Sequence, residues 1–258
     1  MADSTDVLIE EIIDAHGGRN LWDGMDRLDA ELSAKGFLFT AKQRQVLDHI
    51  RVQAYCHQPT FLFLDYPGPG TIGEFAGEAE VRILDANNCV VKKRIQPRAA
   101  FRQVRRMLWW DDLDFLYFGG YATWNYLVTP FIFMHTGFLF EYLGQRRVGK
   151  GTFTCLSVTF PRNIPTHCRT QIFHFDQDML LRRLDYTAEV VGRWAHAVHF
   201  CDDYKNFSGL RIPTRRYVRP LLFGRALSGP ILVAIDIHDV RPHLRMESGV
   251  TYGAQGLP

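Results

Sequence analysis

DDLDFLYFGGYATWNYLVTPFIFMHTGFLFEY, Asp111 to Tyr142, is the most apolar and aromatic stretch of the chain, and it carries no formally charged side chain between Phe115 and Phe140. By length alone such a run could cross a bilayer, for which about 20 apolar residues suffice. Gly119, Gly120, Thr123, Asn125, Pro130, His135 and Gly137 interrupt it, and no basic flank marks a cytoplasmic end. It therefore reads as an internal element of a soluble fold and not as a membrane span. Leu113 to Leu127 is expected to be helical, broken or loosened at the glycine pair and ended by Pro130. Helical spacing sets Phe118, Tyr121, Ala122 and Asn125 along one side, with Tyr117, Thr123, Trp124 and Leu127 around the rest. A helix that is apolar all round yet carries hydroxyls, an indole N–H and an amide suits a place inside the fold or over a cavity. A plain core helix is the other reading.

Outward from this stretch the period changes. Towards the N-terminus, a helix is expected from about Thr5 to His16, capped by Ser4, Thr5 or Asp6 and stopped by Gly17 and Gly18, and then a short turn carries Trp22. Leu28 to Phe39 and His49 to Tyr66 alternate and are rich in β-branched and aromatic residues, so they read as strands. Pro67 to Gly70 is a loop, Gly73 to Leu84 and Cys89 to Ile95 form a hairpin about Asp85 to Asn88, and Arg98 to Trp110 is expected to be helical. Towards the C-terminus six arms follow: Thr152–Phe160, His167–Phe175, Leu180–Glu189, Ala195–Asp203, Ile212–Arg219 and Ile231–Ile237. Short turns make consecutive arms antiparallel neighbours. The expected class is α+β: a large curved antiparallel sheet wrapped around the apolar helical stretch, with an N-terminal helix, in a single domain over residues 1–258.

Composition narrows the function classes. Thirty basic residues against 28 acidic, spread along the chain, give no nucleic-acid footprint, and the densest basic patch, Arg211 to Pro220, is explained by a strand with one solvated face about as well as by an anionic ligand. Five cysteines without a CxxC pair argue against a disulfide scaffold or a zinc site. The acidic N-terminus shows no secretory signal, so a cytoplasmic location is expected. No GxGxxG, GxxxxGK[ST] or GxSxG pattern occurs, and neither HExxH nor HxH; no cofactor and no metal are expected.

The N-terminal helix closing in Gly-Gly, the Trp-bearing turn, the long antiparallel strands, the mid-chain helix and the ending Gly209-Leu210-Arg211-Ile212-Pro213-Thr214-Arg215-Arg216-Tyr217-Val218, then VAIDIHDV, resemble the lipoprotein-carrier (LolA/LolB-like) group of half-barrels. The resemblance covers most of the chain as a pattern. It implies a half-barrel with a helical lid over an apolar cavity that holds acyl chains; the carriers of that group are exported. The strings FGGYATWNY, THCRTQIFHFD, RRLDYTAEVVG and PTRRYV resemble more closely a group of uncharacterised soluble bacterial proteins, which implies no reaction.

Chemistry-bearing residues concentrate in Thr166 to Glu189. Strand alternation puts His167, Arg169, Gln171 and Phe173 on one face and Cys168, Thr170, Ile172 and His174 on the other. A two- or four-residue turn would add Leu184 and Tyr186 to the His167 face and Arg183 and Asp185 to the His174 face; a three-residue loop would swap them. His199, on the next arm, could join either. Two function classes follow. In the first, a cofactor-independent cyclase, isomerase or hydrolase acts on a small hydrophobic compound such as a natural-product intermediate. His167 is then the acid/base, Asp185 and Tyr186 orient or stabilise charge, His199 is a further catalytic candidate, and Tyr121, Trp124, Asn125, Tyr126 and Gln171 hold the substrate. In the second, the chain is a non-catalytic binder or carrier of lipid-like ligands. An enzyme needs polar groups converging in the cavity, whereas a carrier's cavity can be almost wholly apolar.

Overall fold

The computed structural model describes residues 4–148 and 151–245. The chain opens with α1 (Ser4–His16) and α2 (Arg19–Asp23). Because α1 begins at Ser4, its cap lies outside the described residues. Six strands follow: β1 (Met25–Lys35), then a short helix α3 (Phe37–Ala41), β2 (Leu47–Tyr55), β3 (Thr60–Leu64), β4 (Ile72–Ala76), β5 (Glu80–Leu84) and β6 (Val90–Ile95). The middle of the chain is helical, with α4 (Pro97–Ala100), a 3-10 turn (Val104–Met107), α5 (Asp112–Val128) and a second 3-10 turn (Phe131–Met134). The remaining strands are β7 (Leu139–Val148), β8 (Gly151–Thr159), β9 (Thr170–Phe175), β10 (Leu181–Thr187), β11 (His196–Phe207), β12 (Leu210–Leu222), the two-residue β13 (Arg225–Ala226) and β14 (Val233–Leu244).

These make one antiparallel sheet of 14 strands in the order β6-β5-β4-β3-β2-β1-β14-β12-β11-β10-β9-β8-β7, with β13 paired to β12 alone. Two meanders, one from each half of the sequence, are joined at the centre where β1 pairs with β14 from Met25↔Leu244 to Lys35↔Ala234. The ends β6 and β7 do not meet, so the sheet curves without closing, and the segment between them carries α5 across the concave side. This is the half-barrel with an internal helix that the sequence leads one to expect.

α5 is continuous through Gly119 and Gly120, so the glycine pair does not break it. Instead the pair permits close approach. A Cβ on Gly120 would stand 2.5 Å from the Cβ of Phe75 on β4, and one on Gly119 would stand 3.2 Å from the ring tip of Phe63 on β3. The helix thereby packs against β3, β4 and β5. A reciprocal cap starts it: the Asp114 amide donates to Asp111 Oδ1 at 2.9 Å and the Asp111 amide to Asp114 Oδ2 at 3.0 Å. Arg94 and Arg106 both clamp the two carboxylates, Arg94 at 2.7 Å from Asp111 and 2.6 Å from Asp114. Burial alone would raise the Asp111 carboxyl, but hydrogen bonds from Arg94 and the Asp114 amide hold it well below the usual carboxylate range.

Four local expectations are corrected. Leu28 to Phe39 is not one strand: Gly36 has φ +139°, and a Cβ there would meet the Leu232 carbonyl oxygen at 2.5 Å, so the chain turns at this point into α3. The Phe37 and Leu38 amides then donate to Ile231 and Leu232 at 3.0 and 2.9 Å. Gly73 to Leu84 is two strands, turned at Gly77 with φ +65°. Arg98 to Trp110 forms only α4 and a 3-10 turn; with Val104, Met107 and Leu108 exposed, it has no apolar stripe to bury as a longer helix. His49 to Tyr66 is likewise two strands, β2 and β3, with the chain turning over residues 56–59. The basic patch on β12 does have one solvated face, with Arg211 and Arg215 exposed, while Arg216 on the other face is buried and donates to the Tyr126 carbonyl at 2.6 Å.

Candidate functional site

α5 packs over β2 to β6, and a cavity of about 440 Å³ lies between it and the inner faces of β1, β14 and β10 to β12. Phe115, Phe118, Gly119, Ala122, Thr123 and Tyr126 form its helical wall, a stripe at i, i+3, i+4, i+7, i+8 and i+11. β1 and β14 supply Leu32, Ala34, Val233 and Ile235 to the opposite wall, and β10 to β12 supply Tyr186, Ala197 and Val218. Phe37, Met107, Trp194 and Leu222 line the cavity and are also exposed, so it reaches the surface between them. The lining is overwhelmingly apolar. Its polar members are Thr123, Tyr126, Tyr186, His196 and two cations, Lys42 and Arg44.

His167 does not sit on β9, which begins at Thr170; it lies in the preceding irregular segment, buried against α5. Nδ1 is bonded to the Tyr121 hydroxyl at 3.0 Å and Nε2 to the Tyr126 hydroxyl at 2.8 Å. A neutral imidazole donates at one nitrogen and accepts at the other, so both are spent. The Tyr186 ring stacks on the imidazole with centroids 4.2 Å apart, and its hydroxyl is 3.5 Å from that of Tyr126. Burial, with Arg98 nearby, lowers the His167 pKa to about 3. Burial also raises Tyr126 to about 12 and lifts Tyr121 and Tyr186 well above the ordinary phenol value. All four groups are neutral around pH 7.

Asp185 is not part of this cluster. β10 pairs with β9 in the register Leu184↔Phe173 and Asp185↔Ile172, which puts Leu184 and Tyr186 on the inner face and Asp185 on the outer one. The connecting loop, residues 176–180, is odd in length, and an irregularity between Leu181 and Arg183 restores the parity. On the outer face Asp185 accepts from Arg183 at 2.6 Å and lies 3.2 Å from His174 Nε2; His174 Nδ1 is 3.2 Å from Cys155 Sγ. The chain Cys155–His174–Asp185 has the connectivity of a nucleophile with its base, but burial pushes the Cys155 thiol up, opposite to what a nucleophile needs.

The other candidates divide in the same way. His199 is fully buried on the inner face, edge-on to Tyr126 with centroids 4.4 Å apart, and neither ring nitrogen has a hydrogen-bond partner among the described residues. Burial lowers its pKa well below the ordinary value. Trp124 points away from the cavity and donates to the Tyr55 carbonyl at 2.8 Å. Asn125 donates to the carbonyls of Tyr121 and Pro165, both at 2.7 Å, and Gln171 donates to Thr166 and to the Cys168 carbonyl. Only Tyr126 and Tyr186 of the expected site residues line the large cavity. Sequence reasoning missed α3 and its neighbours Lys42 and Arg44, because the strand assignment ran through Gly36. Among the described residues no group of three or more His, Cys, Asp or Glu could hold a metal ion, and no helix is long and apolar enough to cross a membrane.

The open antiparallel half-barrel with its internal helix is the fold of solved LolA-type proteins. No family model matches the chain, and no curated protein matches it. Solved structures do. A LolA superfamily protein from Nitrosomonas europaea superposes with a TM-score of 0.53 at 11% identity, covering 95% of this chain and 96% of the other. A DUF1329 family protein from Desulfovibrio piger gives 0.52 at 14%, with 95% and 96% covered. A domain described as an outer membrane lipoprotein-sorting protein, from Vibrio parahaemolyticus, gives 0.53 at 11%, with 94% and 93% covered. At these identities the likeness is one of fold.

Proposed function

We propose that this protein binds and carries a lipid-like hydrophobic ligand in the cavity between α5 and the concave face of the sheet. The observation that carries the reading is the cavity wall: about 440 Å³ enclosed almost entirely by aliphatic and aromatic side chains, within the usual size of small-molecule sites. The outer membrane lipoprotein-sorting domain of the same fold agrees with a carrier role.

The catalytic reading finds less support. A general base must be within reach of a substrate proton and poised near the working pH. Both His167 nitrogens are bonded to tyrosines and its pKa is about 3, so at neutral pH it has neither a free lone pair nor a proton to spare. Asp185 is on the other face of the sheet. The His167 cluster is better read as a buried polar tie between α5 and the β9–β10 half of the sheet.

Mass spectrometry of an organic extract of the purified protein tests the proposal. Wild type and His167→Ala should release the same hydrophobic compound. A compound that differs chemically between the two proteins would point to turnover and sink the carrier reading.

A further inference from the structure

We infer that the ligand is an anionic amphiphile, its carboxylate or phosphate head group docking on Lys42 at the cavity wall while its alkyl tail fills the apolar interior. This rests on the carrier reading and gives it a ligand class. Two cations line the cavity. Arg44 is already matched, 2.7 Å from Asp112. Lys42 is not: it is 4% exposed, and among the described residues no carboxylate lies within ion-pair distance of it. Among the described residues its ammonium donates only to the backbone carbonyls of Arg106, at 3.1 Å, and Met107, and stands 5.3 Å from the centroid of the Trp110 ring. Lys42, Met107 and Trp110 all line the cavity, so the amine lies beside its wall.

A buried ammonium without a counter-charge is costly, and proteins normally match such a group. The surroundings do not supply the match. Lys42, Arg44, Lys92, Arg94 and Arg106 gather around the start of α5 against only Asp111, Asp112 and Asp114, and those three carboxylates are engaged by the other four cations. The exposed residues around the opening, Phe37, Met107, Trp194 and Leu222, are apolar, and no Asp or Glu is among the residues that line the cavity. An anion approaching the opening therefore meets basic and apolar groups, a field that steers negative charge inward. Two carbonyls use two of the three ammonium protons; the third is left for an anionic oxygen.

The test is a calorimetric titration of the delipidated protein with dodecanoate, dodecyl phosphate and dodecanol, which share a tail and differ in head group. Wild type should bind at least one of the two anions about tenfold more tightly than the alcohol, the factor that 1.4 kcal/mol represents. Whichever anion binds more tightly identifies the head group. In Lys42→Met the preference should vanish while dodecanol affinity is kept, which also reports an intact cavity. Should that variant not fold, the Lys42 ammonium NMR signal of the wild type decides: it should shift with the anion and not with dodecanol. Equal wild-type affinity for all three, an anion preference that survives in Lys42→Met, or an unmoved ammonium signal overturns the inference but leaves the carrier. No binding of any of the three overturns the carrier reading beneath it.

Discussion

Replacing Gly120 by alanine should destabilise the protein although alanine is the better helix former. In a helix interior Gly→Ala gains about 1 kcal/mol of propensity. Here the added Cβ would stand 2.5 Å from Phe75 Cβ and 2.9 Å from its Cγ, against about 3.5–4.0 Å for normal carbon contact. Phe75 Cβ is fixed to β4, which β3 and β5 hold on either side, so the ring cannot swing away. α5 would have to lift by roughly 1 Å, and overpacking of that kind costs about 1–3 kcal/mol. Taken at the upper end because the contact is to a backbone-tied atom, the net effect is about 2 kcal/mol of destabilisation. Gly119→Ala is the internal control: its nearest neighbour is the tip of the Phe63 ring at 3.2 Å. A small tilt relieves that contact, so this variant should be neutral or stabilised by up to about 1 kcal/mol. Thermal unfolding followed by circular dichroism should put Gly120→Ala about 4–8 °C below wild type, with Gly119→Ala at or above it. A Gly120→Ala protein melting at or above wild type, or equal shifts for both, would refute the argument that the glycine pair is there for approach.

Acid should weaken the fold through its buried histidines. Burial lowers His16 to about 4 and His167 to about 3, and takes His199 well below its ordinary value. The unfolded chain, with histidines near 6.5, binds more protons than the folded one between that pH and the lowered values, so stability falls as pH falls. The slope is up to about 1.4 kcal/mol per pH unit for each histidine. Urea midpoints should drop between pH 7 and pH 5, and by less in His167→Gln; a flat profile counts against neutral burial. Tyr126→Phe leaves His167 Nε2 buried without a partner and should cost about 1–3 kcal/mol, measured by the same urea midpoints; no loss would mean the cluster does not tie α5 to the sheet.

Much of the architecture was legible because period-two alternation survives wherever one face of a strand is buried. β9 and β10 show it best: the inner Leu184 and Tyr186 and the outer Arg183 and Asp185 fall as alternation demands. What the sequence could not show was where alternation is cut without a change of residue type. Gly36 and Gly77 do this at positive φ, and the apolar residues after Gly36 look the same in a strand as in α3. The candidate site was legible as a cluster but not as a role. His167, Tyr126 and Tyr186 do converge, yet their pairwise saturation depends on α5 meeting an irregular segment 41 to 46 residues later in the chain. Lys42 was invisible for a related reason: a single lysine after an apolar turn looks like a surface residue until the carbonyls that hold it are in place.

The pairing of β1 with β14 also bears on how the chain reaches its fold. The first strand and the last described one are neighbours at the centre of the sheet, so the seam between the two meanders closes only after nearly the whole described chain is available. Until then β1 offers an unpaired edge, and the largest loop in the molecule must be ordered before its contacts repay the entropy. Such a topology has high contact order and should fold slowly. Its partly formed states would expose the apolar concave face, making them candidates for aggregation or for chaperone capture.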